Sequence, residues 1–68
     1  MSKWVKRRKR LPKDGQKVLC YTVGGFYGLY TWRSKEDAWE DDGQFYFPEL
    51  VTHWMELPEP PKEVQNER

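Results

Sequence analysis

The sequence predicts a small, mostly β domain built on a twisted antiparallel sheet of three to four strands. β-Branched and aromatic residues gather in short runs, and glycine or proline separates those runs. The 68 residues suffice for one domain with a small core, and aromatic residues, 16% of the chain, must supply much of it. We expect the sheet to stay open or to curl towards an SH3-like half-barrel, with at most one short helical turn.

Composition divides the chain into three parts. Residues 1–10 lack apolar periodicity and are expected to form a basic amino-terminal arm, residues 11–61 a single β domain, and residues 62–68 a polar tail that frays. No apolar run approaches the length of a membrane-spanning helix. The lone Cys20 has no internal disulfide partner, which is typical of a reducing cytoplasm.

The clearest strand pair is a hairpin around Gly24-Gly25. Two residues that tolerate positive φ suit a two-residue loop between strands at residues 17–23 and 26–32. Counting outward from that loop pairs Tyr21 with Gly28, so that the ring would cover bare backbone.

The second half of the domain contributes two further strands. Residues 34–43 place a serine before several acids and predict one helical turn or an acidic loop. Residues 44–47 form the third strand and residues 51–57 the fourth. Alternation along the fourth strand predicts one face made of Val51, His53, Met55 and Leu57.

Opposite charges gather in the two halves of the sequence. Residues 1–17 contain eight lysines and arginines against Asp14 alone, whereas residues 34–68 contain ten acids against three cations. The net charge of +1 therefore conceals a separation of charge along the chain. That separation indicates a segment that binds polyanions, an acidic tail, or two segments that pair with each other.

The candidate binding residues are a run of cations and the tryptophan before it: Trp4, Lys6, Arg7, Arg8, Lys9 and Arg10. Cations neutralise phosphates while an indole stacks on a base, so this segment fits nucleic acid. It also fits an anionic protein surface, or a solvated arm that pairs loosely with the acidic half. The sequence leaves these three interpretations open.

Neither histidine nor cysteine forms part of a recognisable catalytic or metal site. His53 has no second histidine, and Cys20 with His53 lacks the close ligand spacing of a zinc site. The acids around Trp39 lack the spacing of a calcium loop. We therefore expect no enzyme, no metal and no cofactor, with His53 hydrogen-bonded beside the core.

Two sets of short motifs bracket the chain, Trp4-Val5, Leu11-Pro12 and Asp14-Gly15 at the front and Thr52-His53-Trp54-Met55 with its following prolines at the end. They resemble the domain-of-unknown-function 551 family of small phage and prophage proteins. The resemblance implies a single folded domain that acts in the host bacterial cytoplasm. It implies no particular activity, because none is established for the family. The motif residues are expected to be structural: Leu11, Pro12, Asp14, Gly15, Thr52, His53, Trp54, Met55, Leu57, Pro58, Pro60 and Pro61.

The predicted function is binding without catalysis, as a phage or prophage accessory protein. The leading hypothesis is contact with a host or phage protein, for example one that serves a host process such as defence. The alternative is a nucleic-acid-binding accessory protein that uses the basic arm, and the second alternative is a structural or assembly component of the virion. The sequence predicts no membrane partner and leaves the oligomeric state open.

Overall fold

A computed structural model describes residues 3–60, which form one open, fully antiparallel sheet of six strands. Its strands are β1 (Val5–Lys6), β2 (Lys17–Thr22), β3 (Tyr27–Arg33), β4 (Ala38–Asp41), β5 (Gln44–Tyr46) and β6 (Val51–Glu56). One 3₁₀ turn, Pro48–Leu50, precedes β6. The mostly β class is confirmed, but the expected three to four strands are wrong. Pro61 and the predicted polar tail, residues 62–68, lie outside the described residues.

The spatial order of the strands is β1-β6-β2-β3-β4-β5, so β1 and β5 are the two edges of the sheet. In the part of the chain that the structure describes, no helix is long and apolar enough to cross a membrane.

The sheet gains its first additional strand from residues that were expected to form an arm. Val5 pairs with Trp54 and Lys6 with His53, and the backbone N–H of Arg7 donates to the carbonyl of Thr52 at 2.9 Å. The basic segment therefore begins in the sheet, at Lys6, and continues as a turn.

The second additional strand, β4, lies in the acidic segment that was expected to be a helical turn or a loop. Trp39 is fully buried there, and burying an indole outweighs the weak strand preference of the neighbouring acids. Asp42 and Gly43, at φ 54° and 84°, form the two-residue loop between β4 and β5, because type I′ turns need positive φ at both positions.

The hairpin between β2 and β3 is shifted by one residue from its predicted register. Tyr21 pairs with Tyr27, and Gly28 lies opposite Cys20. The loop has three residues, since Thr22 and Phe26 bond to each other and only Gly25 adopts positive φ, at 84°. The observed register places Trp32 on the core face with Val18 and Cys20. Burial of the Trp32 ring favours this register over the predicted one.

The core lies on one face of the sheet. Its buried residues are Val18, Cys20, Trp32, Trp39, Val51 and Trp54. Trp32 and Trp39 meet edge to face with ring centroids 4.9 Å apart, and the Trp39 indole N–H donates to the Pro48 carbonyl at 3.2 Å. That bond joins β4 to the 3₁₀ turn before β6.

A β-bulge changes the predicted faces of β6. Tyr21 pairs with His53 but Thr22 pairs with Val51, so Thr52 is an extra residue on β6. Alternation therefore resets after the bulge, and Val51 and Trp54 are both buried in the core. The predicted face that joined Val51 to His53 is wrong for this reason.

Candidate binding face

The face opposite the core carries a row of side chains that crosses four strands. Cross-strand pairing places Lys6 of β1 beside His53 of β6, His53 beside Tyr21 of β2, and Tyr21 beside Tyr27 of β3. Neighbouring strands lie about 4.8 Å apart, so these four side chains are spaced like rungs along the sheet.

Trp4 completes an aromatic cradle, which we define as Trp4, Tyr21, Tyr27 and His53. The Trp4 ring lies 6.5 Å from Tyr21 and 6.2 Å from Tyr27, and the two tyrosines meet edge to face at 5.2 Å. These four residues line a concave cavity of about 270 Å³. The Tyr27 side chain is 69% exposed, so the cradle presents aromatic surface to solvent.

The hydrogen bonds around the bulge assign the ring orientation of His53. Thr52 Oγ1 donates its one hydrogen to the Tyr21 carbonyl at 3.1 Å, and His53 Nδ1 lies 3.0 Å from the same oxygen. Because that hydroxyl hydrogen is already used, the pair is satisfied when Nδ1 carries a hydrogen and donates it to Thr52 Oγ1.

The basic run contains two kinds of residues. Arg7 is half-buried, and its Nε donates to the Val51 carbonyl at 2.8 Å. The Arg10 guanidinium lies 5.2 Å from the centre of the Trp54 ring, and the Arg10 carbonyl accepts the Trp54 indole N–H at 2.8 Å. Both arginines therefore contact β6, although Arg10 is exposed. The remaining exposed cations of the run are Lys6, Arg8 and Lys9.

The exposed cations adjoin the cradle. A second cavity, of about 340 Å³, is lined by Lys6, Arg7, Arg8, Thr52 and His53, so His53 borders both the aromatic and the basic surface. Within residues 3–60 the only ion pair is Arg33 with Glu40, at 2.6 Å. The basic run therefore makes no ion pair with the acidic half in this part of the chain.

The front motif residues tie loops to the sheet. Pro12 is buried and Leu11 is 39% exposed. Gly15 donates its backbone N–H to the Trp32 carbonyl at 2.7 Å. Asp14 accepts the backbone N–H of Ser34 at 2.9 Å, and that hydrogen bond lowers the pKa of the Asp14 carboxyl.

The end motif residues have different environments. Trp54 is buried in the core and Met55 is half-buried, whereas Leu57, Pro58 and Pro60 are exposed. Thr52 is the extra residue of the bulge, and His53 is part of the cradle. The motif thus contributes both to the core and to the candidate face.

Cys20 is fully buried, and that burial raises the pKa of its thiol to about 12. Among residues 3–60 no three histidine, cysteine, aspartate or glutamate side chains gather as a metal site. The described arrangement offers aromatic surface and positive charge, which suit binding of an anionic ligand with flat apolar parts.

These features define a small single-sheet β protein whose outer face joins aromatic side chains to a basic edge. The chain belongs to the family described as a protein of unknown function, DUF551, which it matches over residues 3–62. It is 42% identical over 65 residues to the "Uncharacterized 7.8 kDa protein in ral-gp17 intergenic region" of Salmonella phage P22, an alignment that covers 88% of this chain and 97% of that relative. No solved structure matches the chain. The family resemblance predicted from the motifs is confirmed.

Proposed function

We propose that this phage protein acts in the host bacterial cytoplasm by binding without catalysis, and that its outer face takes single-stranded nucleic acid. The observation that supports this most is the row Lys6, His53, Tyr21 and Tyr27, in which a cation continues directly into aromatic side chains. Proteins that bind single strands without sequence preference combine stacking rings with a positively charged path for the backbone.

A single strand suits the cradle better than a duplex does. Bases in a duplex are stacked on each other and paired, so their faces cannot reach Tyr27 or Trp4 without unstacking, which costs a few kcal/mol. Bases of a single strand are open to the 69% exposed ring of Tyr27. Base stacking on an aromatic side chain contributes roughly 1–3 kcal/mol per base.

The exposed cations supply the phosphate contacts. Lys6, Arg8 and Lys9 make no ion pair within residues 3–60, so contact with phosphate would not break an existing one. Lys6 is paired with β6, and the backbone N–H of Lys9 donates to the Lys6 carbonyl at 2.9 Å in the turn that follows, which reduces the entropy lost when a ligand binds. Selectivity among sequences is expected to be slight, because phosphate contacts contain no base information.

The test measures binding of a fluorescein-labelled oligothymidylate by anisotropy at about 50 and 200 mM salt. Tyr27→Ala should weaken binding roughly tenfold, as expected from the loss of one stacked base. Phe26→Ala is the matched control, since Phe26 is 70% exposed and lies beside Tyr27 in the chain but outside the cradle. Its binding should equal that of the wild type.

The charge contribution is tested with two triple variants that remove the same net charge. Replacing Lys6, Arg8 and Lys9 by glutamine should reduce the log–log salt slope by about 2, at roughly 0.7 per phosphate. Replacing the exposed Lys13, Lys17 and Lys35 by glutamine should leave most of the slope in place. No binding at low salt, or equal losses in both triples, would overturn the proposal.

A host or phage protein is the second candidate ligand of the same face. Tyr27 and Leu29, on the face opposite the core, are 69% and 44% exposed, and tyrosine is enriched among interface hot spots. A pull-down from host lysate with the wild type and Tyr27→Ala, with and without nuclease, separates the two. A partner retained after nuclease treatment and lost in Tyr27→Ala would favour a protein. The hypothesis that the protein is a virion component is tested by mass spectrometry of purified phage particles, which would detect the chain.

A further inference from the structure

Strand β5 has features that edge strands of monomeric proteins usually avoid. It is the last strand of the sheet, and all three of its residues are exposed. Phe45 is 53% exposed, and Phe47, directly after the strand, is 80% exposed. Edge strands are commonly protected by shortness, charge, proline or a bulge; Gln44–Tyr46 is short, yet it contains neither charge nor proline. Exposed apolar surface of this kind indicates an interaction site.

Acids surround these aromatic side chains. Glu36 and Asp37 line a cavity of about 200 Å³ together with Phe45 and Phe47. Asp41 ends β4 and Asp42 lies in the loop that leads into β5. Of the acids between residues 36 and 42, only Glu40 forms an ion pair within residues 3–60. A ligand of this edge must therefore combine positive charge with apolar surface.

The opposite edge of the same sheet has that chemistry. Strand β1 is the other terminal strand, it continues into the exposed cations Arg8 and Lys9, and Trp4 precedes it. The two edges are five strand spacings apart along the sheet, about 24 Å if it were flat. No ion pair joins them within residues 3–60, so the complementary charges are available to another molecule.

We propose that the acidic β5 edge of one copy docks on the basic β1 edge of a second copy. The contact extends the sheet from one molecule to the next, with Phe45 and Phe47 at its centre and opposite charges around them. It is heterologous, because each copy uses two different edges, and so it builds rings or chains rather than closed twofold dimers. Strands of two and three residues give a small contact, so association requires low salt and high protein concentration.

The first test is sedimentation velocity of the wild type. Association should appear at low salt and disappear near 1 M salt, where the Debye length falls to about 3 Å. A wild type that stays monomeric at low salt over the accessible concentration range overturns the proposal.

Two charge-reversed variants identify the surfaces. Glu36→Lys with Asp41→Lys cancels the charge of the β5 edge, since Asp37 and Asp42 remain, and Arg8→Glu with Lys9→Glu lowers the charge of residues 6–10 from +5 to +1. Each should be monomeric alone, and an equimolar mixture should associate. Circular dichroism of each variant checks that it is folded.

A matched control separates edge docking from general attraction between oppositely charged proteins. Adding Phe45→Ser and Phe47→Ser to the Arg8→Glu, Lys9→Glu variant, whose β5 edge is otherwise wild type, keeps every charge and removes the apolar centre. This chain should fail to associate with the Glu36→Lys, Asp41→Lys variant, and undiminished association would overturn the proposal. In the otherwise wild-type chain the two serine substitutions should leave oligothymidylate binding unchanged, so failure of one proposal is distinguishable from failure of the other.

Discussion

Trp54 is held by Arg10 in two ways. The Arg10 carbonyl accepts the indole N–H at 2.8 Å, and the guanidinium of the same residue lies over the ring. A cation over an indole contributes about 0.5–1 kcal/mol at an exposed site. Substitutions of Arg10 therefore alter the packing of the core as well as the charge. Substitutions of Arg8 and Lys9 test the contribution of charge to binding without that change in packing.

At the same scale we predict that the Cys20 thiol is chemically inert in the folded protein. It is fully buried, and burial raises its pKa to about 12, so almost no thiolate exists at pH 8. Iodoacetamide at about pH 8 should modify the native protein far more slowly than the protein in guanidinium chloride, where the thiol behaves as an ordinary one. Native modification at the rate of an exposed cysteine would contradict this.

At the scale of elements, a shift of one residue in the pairing of β2 with β3 decides whether the cradle can be predicted from the sequence. The predicted pairing of Tyr21 with Gly28 places Tyr21 and Tyr27 on opposite faces of the sheet. The observed three-residue loop pairs them directly and brings them onto one face. Loop length could not be predicted from Gly24-Gly25, because two- and three-residue loops both accept glycine. Sequence reasoning therefore found Trp4 and the cations but missed both tyrosines.

The loop itself gives a prediction that distinguishes its two glycines. Gly25 has φ 84°, so Gly25→Ala should destabilise the fold by about 1–2 kcal/mol. A Cβ on Gly24 would meet the Phe26 ring at 3.0 Å, but that side chain is 70% exposed and can move aside. Gly24→Ala should therefore cost less. Urea unfolding of both variants measures the difference, and equal losses would favour the two-residue loop.

Other elements were predictable to different degrees. The runs around β2, β3, β5 and β6 are β-branched and aromatic, and each contains an observed strand. Strand β4 was missed because its signal is one buried indole, Trp39, among acids, although Asp42-Gly43 is a recognisable hairpin loop. The bulge at Thr52 has no signal in the sequence, since it follows from fitting Val51 and Trp54 into one core.

At the scale of the whole molecule, charge is arranged along the sheet, with cations near β1 and acids near β4 and β5. The opposed halves of the sequence already indicate this separation. Their positions at opposite edges depend on β6 entering between β1 and β2, a long-range pairing that local patterns do not contain. The sequence alternative of loose pairing between the halves has no ion pair to support it within residues 3–60.

We predict that the fold loses stability in acid through Asp14 and Glu40. The Ser34 N–H lowers the pKa of the Asp14 carboxyl, and the Arg33 guanidinium lowers that of Glu40. A folded-state pKa below the unfolded value means that unfolded chains bind more protons in acid. The contribution is complete above the ordinary values of 3.8 and 4.5 and is lost as pH falls through the lowered folded values.

The measurement is urea unfolding at about pH 7 and about pH 3. Asp14→Asn keeps an oxygen to accept the Ser34 N–H but removes the titration, so its stability should fall less between the two pH values than that of the wild type. Glu59→Gln, at an exposed position, is the control and should fall as the wild type does. An unchanged loss in Asp14→Asn would rule out Asp14 as a source.

The pairing of Val5 with Trp54 has a kinetic consequence. The first strand of the described chain reaches its place only when the last strand is already there, because β6 is the neighbour of both β1 and β2. The hairpins β2-β3 and β3-β4 close over short loops and can form early, whereas β6 must return across the length of the domain. Until it does, Trp54 has no core to enter and the basic run has no strand to join. Folding should therefore be slow for a domain of this size, with substitutions in β6 slowing the last step most.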